Sequence, residues 1–127
     1  MTVISIVEDE PFIVEALCYL FELEGWQVSV IPDGAIACDE LVSAKPSLVL
    51  LDYMLPNKSG ITVAKEFRAT DFGKDVPILM LTAKGQNKDR QMAQLSGINH
   101  FMTKPFANAE LVATVKELLE QSQTADT

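Results

Sequence analysis

A chain of 127 residues, of which 48% are hydrophobic and 22% charged, is long enough for one compact domain with its own core. The formal net charge of -8 opposes binding to nucleic acid, because contact with phosphate backbones depends on clustered lysine and arginine. The longest apolar runs, residues 48–51 and 78–81, are far shorter than the ~20 residues of a membrane helix. We therefore expect a cytoplasmic domain that binds neither nucleic acid nor membrane.

Five short runs rich in aliphatic residues predict β-strands. They cover residues 3–7, 28–31, 48–51, 78–81 and 99–102. Most of them do not alternate between apolar and polar residues, which is typical of parallel strands that helices cover on both faces.

Segments with helical spacing follow each of these strands, at residues 11–24, 35–44, 60–70, 88–96 and 108–121. In the first, Pro11 suits the first helical turn and Gly25 suits the stop. Its apolar residues recur at steps of three and four: Phe12, Ala16, Tyr19, Leu20 and Leu23. The alternation predicts a parallel sheet with right-handed crossovers in one domain, residues 1–121, and residues 122–127 as a polar tail or the start of a linker.

Charged and hydroxyl side chains stand where the predicted strands end. Glu8 and Asp9 follow the first strand, Asp52 the third, Thr82 the fourth and Lys104 the fifth. Reaction sites of open parallel sheets lie outside the carboxyl ends of the strands. Neighbouring carboxylates repel and raise one another's pKa unless a cation neutralises them, and Mg²⁺ suits such oxygen ligands.

Each of these features also has a simpler interpretation. The acids after the first strand could be solvated beside the positive end of a helix that starts at Pro11. Lys104 could form only a salt bridge to Asp52, and Thr82 could cap a loop. The Lys104–Pro105 bond could be cis or trans, because cis is cheap only before proline.

Four segments together resemble the receiver domain of two-component response regulators, over nearly the whole chain from Val3 to about Gln121. The segments are residues 6–10 (IVEDE), 50–56 (LLDYMLP), 80–83 (MLTA) and 101–106 (FMTKPF). The resemblance implies an α/β fold, namely a flavodoxin-like, doubly wound five-stranded parallel sheet of order 2-1-3-4-5 flanked by five helices.

The resemblance also implies that Asp52 is phosphorylated by a sensor histidine kinase or a phosphotransfer protein. Mg²⁺ would be bound by Asp9, Asp52 and the backbone carbonyl of Met54, and through water by Glu8, where many receivers carry Asp. Met54 and Lys84 would flank the approach of water and tune the lifetime of the phosphoryl group. Since a methionine side chain cannot orient a water molecule by a hydrogen bond, we expect slow hydrolysis.

Thr82 and Lys104 would bind the phosphoryl oxygens, with the small Ala83 beside them. The resemblance implies that Thr82 and Phe101 form the switch, although Phe101 could equally be a packed strand aromatic. The surface of the fourth helix, fifth strand and fifth helix would read out the change, with a possible homodimer on phosphorylation.

The first helix and the loop after the fifth strand would dock the kinase, near Phe12, Ile13, Glu15, Ala16 and Tyr19. Alternatively, Phe12, Ala16 and Tyr19 are core residues. The expected output is transcription through an effector domain outside this chain. A stand-alone regulator, a phosphorelay intermediate and a phosphate-independent interaction module are the alternatives. The domain is not expected to be an enzyme, although it assists its own phosphorylation and dephosphorylation.

Overall fold

One parallel sheet of five strands forms the centre of the protein. The computed structural model describes residues 2–83, 91, 94 and 96–125. The strands are β1 (Val3–Val7), β2 (Gln27–Ile31), β3 (Leu48–Asp52), β4 (Ile78–Thr82) and β5 (His100–Thr103). Their order is β2-β1-β3-β4-β5, all pairs being parallel, which confirms the predicted fold class and strand order.

The described part of the chain contains four α-helices, against five predicted. They are α1 (Pro11–Leu23), α2 (Gly34–Ala44), α3 (Gly60–Arg68) and the C-terminal helix (Asn108–Ala125). The predicted helix at 88–96 lies largely outside the described residues, and a short 3-10 helix at Phe72–Lys74 was not predicted. Among the residues that the structure describes, no helix combines the length and the apolar character needed to cross a membrane.

Side chains on the two faces of the sheet form two separate hydrophobic clusters. Leu48 and Leu50 point to one face, where they pack with residues of α1 and the C-terminal helix. Val49 and Leu51 point to the other face, where they pack with residues of α2 and α3. Because helices cover both faces, every residue of β3 is buried, and this explains its unbroken apolar sequence.

Helix α1 buries a different stripe from the one that its most regular apolar spacing suggests. Its buried residues are Leu17 and Phe21. Phe12 is 81% exposed and Tyr19 69% exposed, and Ala16 is also exposed. The interpretation of Phe12, Ala16 and Tyr19 as core residues is therefore wrong, because α1 has two apolar stripes and only one of them faces the sheet.

The guanidinium of Arg68 joins the end of α3 to the amino ends of β4 and β5. Its Nη1 donates to the carbonyl oxygens of Gly73 and Val76, both at 2.6 Å. Nε and Nη2 donate to the carbonyl oxygen of Gly97 at 3.0 and 2.8 Å, and Nη2 also donates to Asn99 Oδ1 at 2.8 Å. One side chain thus satisfies backbone groups of two connecting segments, the one before β4 and the one before β5.

Candidate functional site

The carboxyl ends of β1, β3, β4 and β5 meet at one edge of the sheet and bring the predicted site residues together. Glu8 follows β1 directly, Asp52 is the last residue of β3, and Thr82 is the last residue of β4. The Lys104 backbone N–H, just after β5, donates to the Thr82 carbonyl oxygen at 2.7 Å. Since all strands run in the same direction, side chains that are distant in sequence converge here.

Three carboxylates lie side by side at this edge. Glu8, Asp9 and Asp52 each place an oxygen within 4.8 Å of the others. Glu8 and Asp52 are buried, whereas Asp9 is exposed to solvent. Such a set of oxygen donors, open on the side of Asp9, suits a hard divalent cation that keeps part of its water.

The ammonium group of Lys104 lies between two of these acids. Its Nζ is 3.4 Å from Asp52 Oδ1 and 3.5 Å from Glu8 Oε2. Both distances are long for a charge-assisted hydrogen bond, so the lysine is not engaged in one tight salt bridge. Its charge is shared between the two acids.

Burial raises the pKa of Glu8 from the ordinary 4.5 to about 7, and the neighbouring charge of Asp52 adds to the increase. The charge of Lys104 and the backbone N–H of Glu10, which donates to Glu8 Oε1 at 3.2 Å, act in the opposite direction without cancelling it. Three carboxyl groups thus face a single ammonium group at this edge of the sheet.

The remaining predicted residues lie around this cluster. Thr82 is fully buried, Ala83 is exposed directly after it, and the Lys104–Pro105 bond is cis. Phe101 is half-buried and packs against the cluster on the α2 and α3 face. Lys84 lies outside the described residues.

The loop from β3 to α3 is pressed closely against the end of β3. The Gly60 N–H donates to the Tyr53 carbonyl oxygen at 2.8 Å, and a Cβ at Gly60 would overlap the carbonyl oxygen of Asp52. Glycine is therefore required where α3 begins. Met54, in the middle of the loop, leaves its side chain 61% exposed.

An apolar cavity of about 370 Å³ opens beside Lys104, between α1 and the segment that follows β5. Its lining includes Phe12, Ala16, Pro105 and Phe106. This cavity and the exposed stripe of α1 form a continuous apolar surface next to the acidic cluster.

A doubly wound sheet of this strand order, with acids at the carboxyl ends of β1 and β3 and a lysine just after β5, is typical of the class of receiver domains. The family described as the response regulator receiver domain matches residues 4–116. The chain belongs to this family, which confirms the resemblance drawn from the sequence.

Curated relatives include two bacterial regulators. The phosphate regulon transcriptional regulatory protein PhoB of Escherichia coli is 38% identical over 118 residues, which are 93% of this chain and 52% of that protein. The sensory transduction protein RegX3 of Mycobacterium bovis is 36% identical over 126 residues, 99% of this chain and 54% of that protein. The chain thus spans about half the length of the curated relatives it matches.

Solved receiver structures have the same fold. The receiver domain of the sensor histidine kinase PA1611 from Pseudomonas aeruginosa, with a magnesium ion in its active site cleft, matches with a TM-score of 0.86 and 29% identity. That match covers 94% of this chain and 98% of the other. The BeF3-activated receiver domain of Klebsiella pneumoniae RstA matches with a TM-score of 0.87 and 29% identity, covering 93% and 98%.

One polar contact beside the site was not predicted. The side chain of Asn57, in the loop after β3, donates to the carboxylate of Asp33, which precedes α2. An acid before a predicted helix is a capping signal, and Asp33 does accept a hydrogen bond from Ala35 N–H. The contact across to Asn57 depends on which loops become neighbours, and no local pattern indicates that.

Proposed function

We propose that the chain is a cytoplasmic signalling domain that accepts a phosphoryl group on Asp52 from a sensor histidine kinase or a phosphotransfer protein. The observation that carries this proposal is the position of the Asp52 carboxylate. It is buried at the end of β3, next to two acids and 3.4 Å from the Lys104 ammonium. A nucleophile, a set of cation ligands and a fixed positive charge therefore share one pocket.

Mg²⁺ is the proposed cofactor. Asp9, Asp52 and the backbone carbonyl of Met54 would bind it directly, and Glu8 through a water molecule. The fit rests on the three carboxyl groups within 4.8 Å of one another, which outnumber the single ammonium group of Lys104. When bound, the ion supplies positive charge that offsets the negative charge of the phosphoryl oxygens.

The residues of the chain position and neutralise the transferred group. An oxygen of Asp52 attacks the phosphorus of a phosphohistidine, the P–N bond breaks, and an acyl phosphate forms while the histidine takes up a proton. Lys104 and Thr82 hold the phosphoryl oxygens, and the small Ala83 leaves room beside them. Since phosphoryl transfer has a loose transition state, alignment and charge neutralisation supply most of the catalysis. The domain thus assists its own phosphorylation and dephosphorylation without acting as an enzyme on other molecules.

Phosphorylation would be transmitted through Thr82 and Phe101. The Thr82 hydroxyl moves toward the phosphoryl group, and Phe101, which is already half-buried, follows into the vacated space. A change from mostly inactive to mostly active needs about 5.5 kcal/mol of differential stabilisation, which several charge-assisted hydrogen bonds supply. The surface of the predicted helix at 88–96, β5 and the C-terminal helix would then change and could form a homodimer.

The proposed output is transcription, through an effector domain outside this chain. The support is that PhoB is a transcriptional regulatory protein and that this chain matches 52% of its length. For the kinase, the exposed side chains of Phe12 and Tyr19 and the cavity beside Lys104 offer an apolar docking surface close to Asp52.

The experiment that tests the function starts from the unmodified protein and a small phosphodonor such as acetyl phosphate. With Mg²⁺ we expect an intact mass that contains one added phosphoryl group, and with a chelator almost none. Borohydride reduction converts an acyl phosphate to homoserine, so peptide mass spectrometry should find homoserine at position 52. Persistent absence of any adduct on the folded protein would instead support a phosphate-independent interaction module.

The raised pKa of Glu8 predicts how the stability of the metal-free protein depends on pH. Between its ordinary pKa of 4.5 and the folded-state value of about 7, folded Glu8 holds a proton that the unfolded chain has lost. Stability should therefore fall as the pH rises from 4.5 through 7. Glu8→Gln should abolish this loss of stability, which amounts to at most about 3 kcal/mol in the free energy of unfolding at pH 8. The measurement is urea unfolding of both proteins in chelator from pH 5 to 8, and parallel curves would refute the prediction.

The side chain of Met54 predicts a slow loss of the phosphoryl group. Because a thioether cannot orient an attacking water molecule, the acyl phosphate should persist for minutes or longer. Met54→Asn adds an amide that can hold water and should shorten the lifetime several-fold, whereas Met54→Leu should not. The lifetime is followed by intact mass after removal of the donor, and a wild-type lifetime of only seconds would contradict the prediction.

A further inference from the structure

Asp33 and Asn57 form a paired contact between two loops next to the site. Asn57 Nδ2 lies 3.0 Å from Asp33 Oδ1 and 2.8 Å from Oδ2, so one amide group spans both carboxylate oxygens. Oδ1 also accepts a hydrogen bond from Ala35 N–H at 2.7 Å. The hydrogen bond from Asn57, followed by that from Ala35, keeps the pKa of Asp33 below its usual value, so the ionised form is the bound form.

The backbones of the same two loops are also joined. The Gly34 N–H donates to the Pro56 carbonyl oxygen at 3.1 Å, and the Lys58 N–H donates to the same oxygen at 2.9 Å. A Cβ at Gly34 would come within 2.7 Å of the Lys58 carbonyl oxygen, so the approach needs a glycine. The Lys58 ammonium in turn lies 2.9 Å from each carboxylate oxygen of Glu66 on α3.

These contacts hold one end of the loop that follows Asp52, and the sheet holds the other. The Tyr53 N–H donates to the Leu81 carbonyl oxygen at 3.0 Å, and the Tyr53 carbonyl oxygen accepts from Gly60 N–H. Between Tyr53 and Pro56 only Met54 and Leu55 remain. A segment of two residues held at both ends has little freedom, so the direction of the Met54 carbonyl depends on both attachments.

Asn57 also adopts a backbone conformation that favours glycine. Its φ is 71°, in the left-handed region, where asparagine is tolerated better than most residues. A glycine would fit this conformation at lower cost but would lack the amide that reaches Asp33. The residue present thus combines the required turn with the contact to the neighbouring loop.

We infer that Asp33 and Asn57 are positioning residues for the metal site, because their pairing holds the loop that presents the Met54 carbonyl. This inference rests on the proposed function, in which that carbonyl is a ligand of Mg²⁺. Contacts beyond the direct ligands typically change metal affinity by about 10- to 100-fold when they are removed. Neither residue is among the proposed ligands of the metal or the proposed phosphoryl-binding residues.

Three variants of the whole chain test the pairing. Asp33→Ser keeps a side-chain cap for α2 but removes the carboxylate, and Asn57→Gly keeps the turn but removes the amide. The exchange Asp33→Asn with Asn57→Asp restores an amide–carboxylate pair with the donor on the other side. Asp39→Asn, an exposed change on α2, is the matched control.

Two measurements avoid any dependence on phosphorylation. Titration calorimetry gives the Mg²⁺ dissociation constant, and hydrogen exchange of Gly34 N–H in chelator reports the joined loops directly. We expect each single variant to weaken Mg²⁺ binding about tenfold and to speed that exchange. The double variant with Asp33→Asn and Asn57→Asp should recover most of the Mg²⁺ affinity and most of the protection of Gly34 N–H. Asp39→Asn should match the wild type in both measurements.

Single variants that bind Mg²⁺ as tightly as the wild type would overturn the inference, and so would an exchanged pair that is folded but recovers nothing. The failure of the proposed function is a different result, because it appears in the wild type. A wild-type protein that binds no Mg²⁺ refutes the metal site and the inference together, whereas tight binding kept by every variant refutes the inference alone.

Discussion

Asp52→Asn is expected to abolish phosphorylation by a small donor in the presence of Mg²⁺. The amide has nearly the shape of the carboxylate but is not a nucleophile, and it removes one of the three acids of the proposed metal site. The substitution also removes the charged partner of Lys104, whose Nζ lies 3.4 Å from Asp52 Oδ1. The intact mass should therefore show no adduct, where the wild type shows one phosphoryl group.

Two comparisons keep this result specific. Asp39→Asn changes an exposed acid on α2 and should leave phosphorylation intact. The Asp52→Asn protein should be at least as stable as the wild type, because the substitution relieves repulsion with buried Glu8. Urea unfolding in chelator measures this stability. An adduct of wild-type extent on the Asp52→Asn protein would place the acceptor elsewhere.

Arg68→Ala should cause the largest loss of stability among the changes outside the site, about 3 kcal/mol. The guanidinium donates five hydrogen bonds to four acceptors in two connecting segments. Hydrogen bonds of charged groups contribute about 1.5–3 kcal/mol each without being additive. Its removal leaves the carbonyl oxygens of Gly73, Val76 and Gly97 without this donor. Domains of this size have a free energy of unfolding of about 5–15 kcal/mol, so the expected loss is a large fraction of the total.

Urea unfolding measures this loss of stability, and Arg68→Lys separates the contribution of the charge from that of the planar guanidinium. A lysine keeps the charge but not the planar fork, so it should recover less than half of the lost stability. Lys65→Ala, an exposed change on the same helix, is the control and should cost less than about 0.5 kcal/mol. If Arg68→Ala also lowered the free energy of unfolding by less than about 0.5 kcal/mol, water would replace the guanidinium hydrogen bonds without loss of stability, and the prediction would be wrong.

The strands and their common edge could be predicted because local sequence determines them, whereas the strand order was implied by the resemblance to receiver domains. Unbroken apolar runs such as the one that ends at Asp52 indicate strands covered on both faces, and parallel strands end at a common edge. These patterns place Glu8, Asp52, Thr82 and Lys104 at one edge, and the strand order implied by the resemblance to receiver domains brings them close together. Ends of elements were less certain, since the last helix runs to Ala125 and not to 121.

Features that depend on tertiary packing were not predicted. Arg68 looks like an ordinary basic residue in the last turn of a helix, and only the folded chain brings its carbonyl acceptors together. The same holds for Asp33 and Asn57, which belong to loops 24 residues apart. The sequence also did not decide whether Phe12 and Tyr19 are exposed or buried. Periodicity shows that α1 has apolar stripes, but it does not show which stripe faces the sheet.

The pocket at the edge of the sheet joins the two ends of the domain. Glu8 and Lys104, which meet there, are 96 residues apart in the chain. A polypeptide still being synthesised, or one cut before β5, contains Asp52 but no ammonium beside it. The proposed site therefore needs both ends of the domain, and a copy truncated before β5 would lack the ammonium group that lies beside Asp52.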